Sequence, residues 1–81
     1  MAISYIVVPF AVGARGKLEP GAPSLFKRPD EAMALAKSTA EHEAGAFVME
    51  QDAEPEKSRY GEPKLLAHFG RLPEGFIEYF A

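Results

Sequence analysis

The chain contains no cysteine, and this absence excludes several kinds of chemistry. A disulfide framework, a thiolate metal site, a thiol nucleophile and a redox sensor based on thiols all need cysteine. The sequence also lacks tryptophan and has only two histidines, His42 and His68. Neither histidine has a second ligand one helical turn away or a serine in a recognisable nucleophile motif beside it. We therefore expect no enzymatic activity, no metal and no cofactor.

Long apolar runs are missing as well. No segment approaches the roughly 20 apolar residues that a membrane-spanning helix needs. The start of the chain, Met-Ala-Ile-Ser-Tyr, lacks the charged region and the small-residue cleavage site of a signal peptide. The lack of cysteine is compatible with a reducing compartment. These features predict a cytoplasmic protein that does not associate with membranes.

The net charge of −3 is distributed unevenly along the chain. Residues 1–28 carry four bases and one acid, whereas residues 29–81 carry five bases and eleven acids. The four bases of the first segment are Arg15, Lys17, Lys27 and Arg28. They predict a weak anion-binding surface if they meet near the start of a helix. Nucleic acid is not an expected partner, because the domain as a whole is acidic and no aromatic side chains are interleaved with these bases.

The first predicted strand covers residues 3–10, where apolar side chains occupy both alternating faces. Such a pattern is typical of a strand that is covered on both sides. Pro9 has no N–H to donate, so we expect the strand to end or bulge there, or to lie at an edge of the sheet at that point. Residues 11–23 predict a loop or a ragged hairpin, followed by a short extended piece over residues 24–27.

One amphipathic helix is predicted over residues 30–44. Pro29 suits the first helical position, and Gly45 would cap the C-terminal end. The inward face is rich in alanine and includes Met33, Leu35, Ala36 and Ala40. Alanine permits close approach to a sheet but buries little area, so the sheet must supply most of the core volume.

Two further strands are predicted, over residues 46–51 and 65–71, with a polar connection or hairpin tip over residues 52–64. Strand, helix and strand in this order predict a right-handed crossover, which an antiparallel strand then extends. The predicted fold is a single α+β domain, residues 1–81. Its helix packs on a three- to four-stranded mixed sheet, and the elements follow along the chain in the order β-α-β-β. A short C-terminal helix in the tail is also compatible with this pattern.

The layout resembles that of small uncharacterised bacterial and phage proteins. The resemblance depends on the helix start Pro29-Asp30-Glu31-Ala32, on Gly45-Ala46 at the next strand, and on Lys64-Leu65-Leu66-Ala67-His68-Phe69-Gly70. It implies a module in which one helix covers a sheet. It carries no functional residues onto this sequence, because it contains no catalytic motif.

The last residues are unusually apolar for the end of a chain. Four large side chains, those of Phe76, Ile77, Tyr79 and Phe80, stand within five residues. Burying each is worth about 1.5–3 kcal/mol, so this tail is expected to dock on its own domain or on a partner. One helix covers only one face of the sheet. The second face of the first strand therefore needs either the tail or an identical subunit to cover it.

These observations lead to one main hypothesis about function and two alternatives. The main hypothesis is a non-enzymatic protein–protein interaction module that forms a homodimer. Its predicted interaction residues are Tyr5, Phe76, Ile77, Tyr79 and Phe80. The first alternative is a module that binds anions or nucleic acid weakly through the four bases near the start. The second alternative is a small enzyme whose site lies at a dimer interface.

Overall fold

The computed structural model describes residues 2–54, 57–73 and 75–76. Within these residues the chain forms one α-helix and six short or medium strands, which confirms the α+β class. In chain order the elements are β1 Ala2–Val12, a 3-10 turn Ala14–Gly16, β2 Leu18–Pro20, β3 Ser24–Phe26, α1 Pro29–His42, β4 Gly45–Glu54, β5 Arg59–Tyr60 and β6 Lys64–Gly70.

The strands form one sheet whose centre is the antiparallel pair β1 and β4, in register from Ala2 opposite Ala53 to Phe10 opposite Gly45. Strands β2 and β3 follow one another along the outer edge of β1, and β5 and β6 do the same along β4. Every one of these pairings is antiparallel. The prediction of a mixed sheet with three or four strands is therefore wrong in both strand number and direction.

The predicted right-handed crossover from the strand over residues 3–10 to the strand over residues 46–51 is wrong, because these two strands, β1 and β4, are antiparallel neighbours. The backbone N–H of Gly13 donates to the Lys17 carbonyl at 2.7 Å, which closes a tight turn after β1. The chain then returns along β1 as β2 and β3 before α1 begins. Since β3 and β4 both run antiparallel to β1, they are parallel to each other, with β1 between them. Helix α1 thus connects β3 to β4, and not β1 to β4.

Pro9 lies within a central strand and does not end it. Its carbonyl accepts a hydrogen bond of 2.8 Å from the backbone N–H of Gly21. The N–H and C=O of one residue in a strand point to the same side, so the missing donor of Pro9 also faces Gly21. Gly21 lies between β2 and β3, where the edge of the sheet is interrupted. The proline therefore removes no bond of a continuous ladder.

The core lies between α1 and one face of the β1 and β4 pair. Ala32 and Ala36 of the helix are fully buried against Val7 and Val48, which are paired across the two strands. Small helix side chains let the backbone approach the sheet closely. Leu35 was predicted to face inward, but it is 36% exposed, because the buried stripe is centred on Ala32 and Ala36.

Gly45 does not cap the helix as predicted. Helix α1 ends at His42 with Glu43 as its cap, and Gly45 is the first residue of β4. A Cβ atom at Gly45 would overlap the backbone of Arg71. Its strand partner Gly70 has a positive φ of 73°, and the N–H of Arg71 donates to the Ala44 carbonyl at 2.8 Å. The glycine pair therefore lets the chain after β6 cross the start of β4.

The polar segment over residues 52–64 includes a hairpin between β4 and β5. The backbone N–H of Gly61 donates to the Asp52 carbonyl at 2.6 Å, and the Gln51 side chain donates to the Gly61 carbonyl at 3.0 Å. The next strand, β6, contains an irregularity in its pairing opposite Val48 and Met49.

The assigned inner face of α1 can be tested with two matched substitutions. Ala36→Glu places a charge in the fully buried stripe and should lower the free energy of unfolding by about 3–5 kcal/mol. Ala34→Glu adds the same side chain at an exposed position of the helix and should change it by less than about 0.5 kcal/mol. Urea denaturation measures both values. Equal midpoints for the two variants would contradict the assignment.

Candidate functional site

The sheet face that α1 does not cover is called here the open face. Val7 and Val48 point to the helix, so the residues that alternate with them lie on the opposite side. On the two central strands the described side chains of the open face are Ser4, Ile6, Val8, Phe10 and Val12 of β1 and Phe47, Met49 and Gln51 of β4. None of them carries a formal charge.

One end of the open face is covered by an aromatic cluster of Phe10, Phe47 and Phe76. The ring centroids of Phe10 and Phe47 are 5.7 Å apart, and Phe76 lies 5.6 Å from Phe10 and 4.6 Å from Phe47. Phe10 and Phe47 are both buried. The start of the apolar tail thus packs on its own domain. The other predicted tail residues, Ile77, Tyr79 and Phe80, lie outside the described part of the chain.

The other half of the open face remains accessible. Leu25 of β3 is paired with Ile6 and is 70% exposed. Ile6 is also paired with Met49 on its other side, and both of these side chains are only half-buried. The open face therefore presents a row of apolar side chains that spans three neighbouring strands.

Tyr5 was predicted as an interaction residue, but it does not lie on the open face. It points to the helix side and packs against the buried core, together with Phe26 opposite it on β3. The physical reason is the alternation of β1, which places Tyr5 on the same side as Val7. Tyr5 therefore contributes to the core.

The four bases of the first segment do not form one cluster. Arg15 and Lys17 lie next to β2, which pairs with Val12, whereas Lys27 and Arg28 follow β3, which pairs with Tyr5. Tyr5 and Val12 are seven positions apart along β1, which corresponds to about 23 Å. Arg28 forms an exposed ion pair with its neighbour Asp30, with Nε and Oδ1 3.3 Å apart. The condition for the predicted anion-binding surface, that all four bases meet near the start of the helix, is therefore not met.

One of these bases instead shares a cleft with a base from the other end of the chain. Lys17, Leu18, Arg71, Leu72 and Pro73 line an open cleft of about 560 Å³, which we call the basic cleft. Sequence reasoning missed Arg71 because it is distant from Lys17 along the chain. The pairing of Gly45 with Gly70 is the feature that turns Arg71 toward this end of the sheet.

The histidines and acids offer no metal site within residues 2–54, 57–73 and 75–76, where no group of three potential ligands occurs. His42 is exposed at the end of α1, and His68 is exposed on β6 opposite Phe47. Among the described helices, none is long and apolar enough to cross a membrane.

Comparisons with protein-family models, with curated proteins and with solved structures gave no significant match to this chain. The resemblance to small bacterial and phage proteins therefore stays a prediction.

The docking of Phe76 predicts an energetic coupling with Phe47. In a double-mutant cycle of Phe47→Leu and Phe76→Leu, the coupling free energy should be about 0.5–1.5 kcal/mol, the range typical of aromatic pairs. Urea denaturation at one fixed protein concentration measures it. Phe69 provides the control, because it packs on the helix side of the sheet. Phe69→Leu and Phe76→Leu should be additive, and additivity in both cycles would contradict the docking.

Proposed function

We propose that this protein is a non-enzymatic interaction module that forms a homodimer through the open face of its sheet. The observation that carries the proposal is the accessible apolar row of Leu25, Ile6 and Met49 on three neighbouring strands. Contiguous exposed apolar side chains on a small domain are typical of a surface that associates with another molecule.

The core of this domain is small, so burial of further apolar surface would stabilise the fold. Among the described residues, Val7 and Val48 are the largest side chains that are fully buried, and the helix contributes mainly Ala32 and Ala36. A domain of 81 residues buries a modest fraction of its surface, and oligomerisation is a common source of additional stability. Each apolar Å² removed from water contributes about 25 cal/mol. A layer that covers the open face would therefore stabilise the fold.

A second copy of the chain is the occupant that the charge distribution favours. A two-fold contact places the same surface patch of both subunits together, so a charged patch would repel itself. The described side chains of the open face on β1 and β4 are uncharged, although the whole chain carries a net charge of −3. The open face is thus the surface on which two copies meet without repulsion between like charges. Apolar interfaces of this kind are typical of obligate homodimers.

Cytoplasmic localisation belongs to the same proposal. A chain without cysteine needs no oxidising compartment for folding, and this supports the assignment.

Sedimentation velocity tests the proposed interface. The unmodified protein should sediment as a dimer. Leu25→Glu should shift it to a monomer, because each subunit would place a charge in the apolar contact. Leu35→Glu is the matched control, since Leu35 is also an exposed leucine but lies on the helix, in the other layer. This variant should remain a dimer.

Two outcomes would contradict the proposal. A monomer at the highest concentration tested would show that the open face does not mediate self-association. A dimer in both variants would place the interface elsewhere on the molecule. Circular dichroism and urea denaturation of both variants establish that each is folded before its sedimentation is interpreted.

A further inference from the structure

The basic cleft is built where two connections of the chain meet at one end of the sheet. The first is the turn after β1, whose 3-10 turn ends with the N–H of Lys17 donating to the Ala14 carbonyl at 3.3 Å. The second is the segment after β6, which is held by the bond from the Arg71 N–H to the Ala44 carbonyl. Backbone hydrogen bonds therefore fix the positions from which both cationic side chains extend.

The two cations of the cleft have no ionic partner among the residues that the structure describes. A salt bridge does join Arg28 to Asp30, but these two residues lie at the other end of the sheet and not in the cleft. Glu19 is close in sequence to Lys17, but its carboxylate lies against Gly13 and forms no salt bridge with Lys17. Two positive charges that share a cleft repel each other, and an anion between them would relieve this repulsion.

The remaining lining of the cleft is apolar. Leu18, Leu72 and Pro73 are half-buried and contribute hydrocarbon surface beside the two cations. A volume of about 560 Å³ falls within the range of pockets that hold small organic molecules, about 300–1,000 Å³. Apolar walls with a few charged groups are typical of such pockets. An inorganic ion would leave the apolar lining unused.

We infer that the basic cleft binds a small organic anion, a molecule with one carboxylate or phosphate group attached to an apolar body. Lys17 and Arg71 bind the anionic group, and the guanidinium of Arg71 can donate two parallel hydrogen bonds to it. Leu18, Leu72 and Pro73 contact the apolar body. The cleft is lined by residues of one chain, so this inference does not require the proposed dimer.

A titration followed by ¹H–¹⁵N NMR tests the inference with four probes. Phenyl phosphate and phenylacetate carry both an anionic group and an apolar ring, and at least one of them should shift the amides of Lys17, Leu18, Arg71 and Leu72 in a saturable way. Inorganic phosphate lacks the ring, and benzyl alcohol lacks the charge. Both should bind more weakly than the better of the two organic anions.

Substitutions distinguish specific binding in the cleft from a general attraction of anions to positive charge on the protein. Arg71→Gln and Lys17→Met should each weaken binding about tenfold or more, because each removes a charge-assisted hydrogen bond. Lys27→Met removes the same charge at the far end of the sheet, about 23 Å away, where salt screens its effect. It should leave the dissociation constant within about twofold of its original value. The amide spectrum of each variant shows whether it remains folded.

Three results would overturn the inference. The first is the absence of saturable shifts in the cleft with both organic anions. The second is equal affinity for inorganic phosphate and the organic anions, because the apolar lining would then contribute nothing. The third is a loss of affinity in Lys27→Met as large as in Arg71→Gln, since binding would then depend on overall charge and not on this cleft.

Discussion

The antiparallel pairing of β1 with β4 is the interaction on which the rest of the structure depends. It extends from Ala2 opposite Ala53 to Phe10 opposite Gly45, and the edge strands attach to one or the other of these two strands. The same pairing creates both faces of the sheet. Val7 and Val48 meet on the helix side, and Phe47 packs on the opposite side with Phe10. A shift of one residue in this register would exchange the two faces.

The two candidate surfaces follow from different parts of this arrangement. The open face exists because one helix with an inner stripe of alanine covers only one side of a sheet whose central strands are apolar on both sides. The basic cleft exists because connections at one end of the sheet bring Lys17 and Arg71 together. Self-association would depend on burial of apolar area, whereas binding in the cleft would depend on two positive charges together with an apolar lining. A change at Leu25 or at Arg71 can therefore separate the two activities experimentally.

Local patterns predicted the features that depend on neighbouring residues. The helix predicted over residues 30–44 is close to the observed Pro29–His42, because the amphipathic period and Pro29 are local signals. The apolar pattern of residues 3–10 indicated a strand that is covered on both faces, and β1 has Val7 buried on the helix side and Phe10 buried on the opposite side. The apolar character of Phe76 indicated docking, and Phe76 packs on Phe47.

Strand direction, in contrast, was decided only by the tertiary structure. The sequence by itself determined one helix, several strands and an apolar second face, because side-chain periodicity and burial tendency are properties of short segments. It did not determine that the chain returns as β3 before the helix, that Gly45 meets the backbone of Arg71, or that Arg71 and not Lys27 lies beside Lys17. These features depend on backbone pairing between distant segments. Such pairing is selected by the fit of the whole sheet, and no local pattern encodes it.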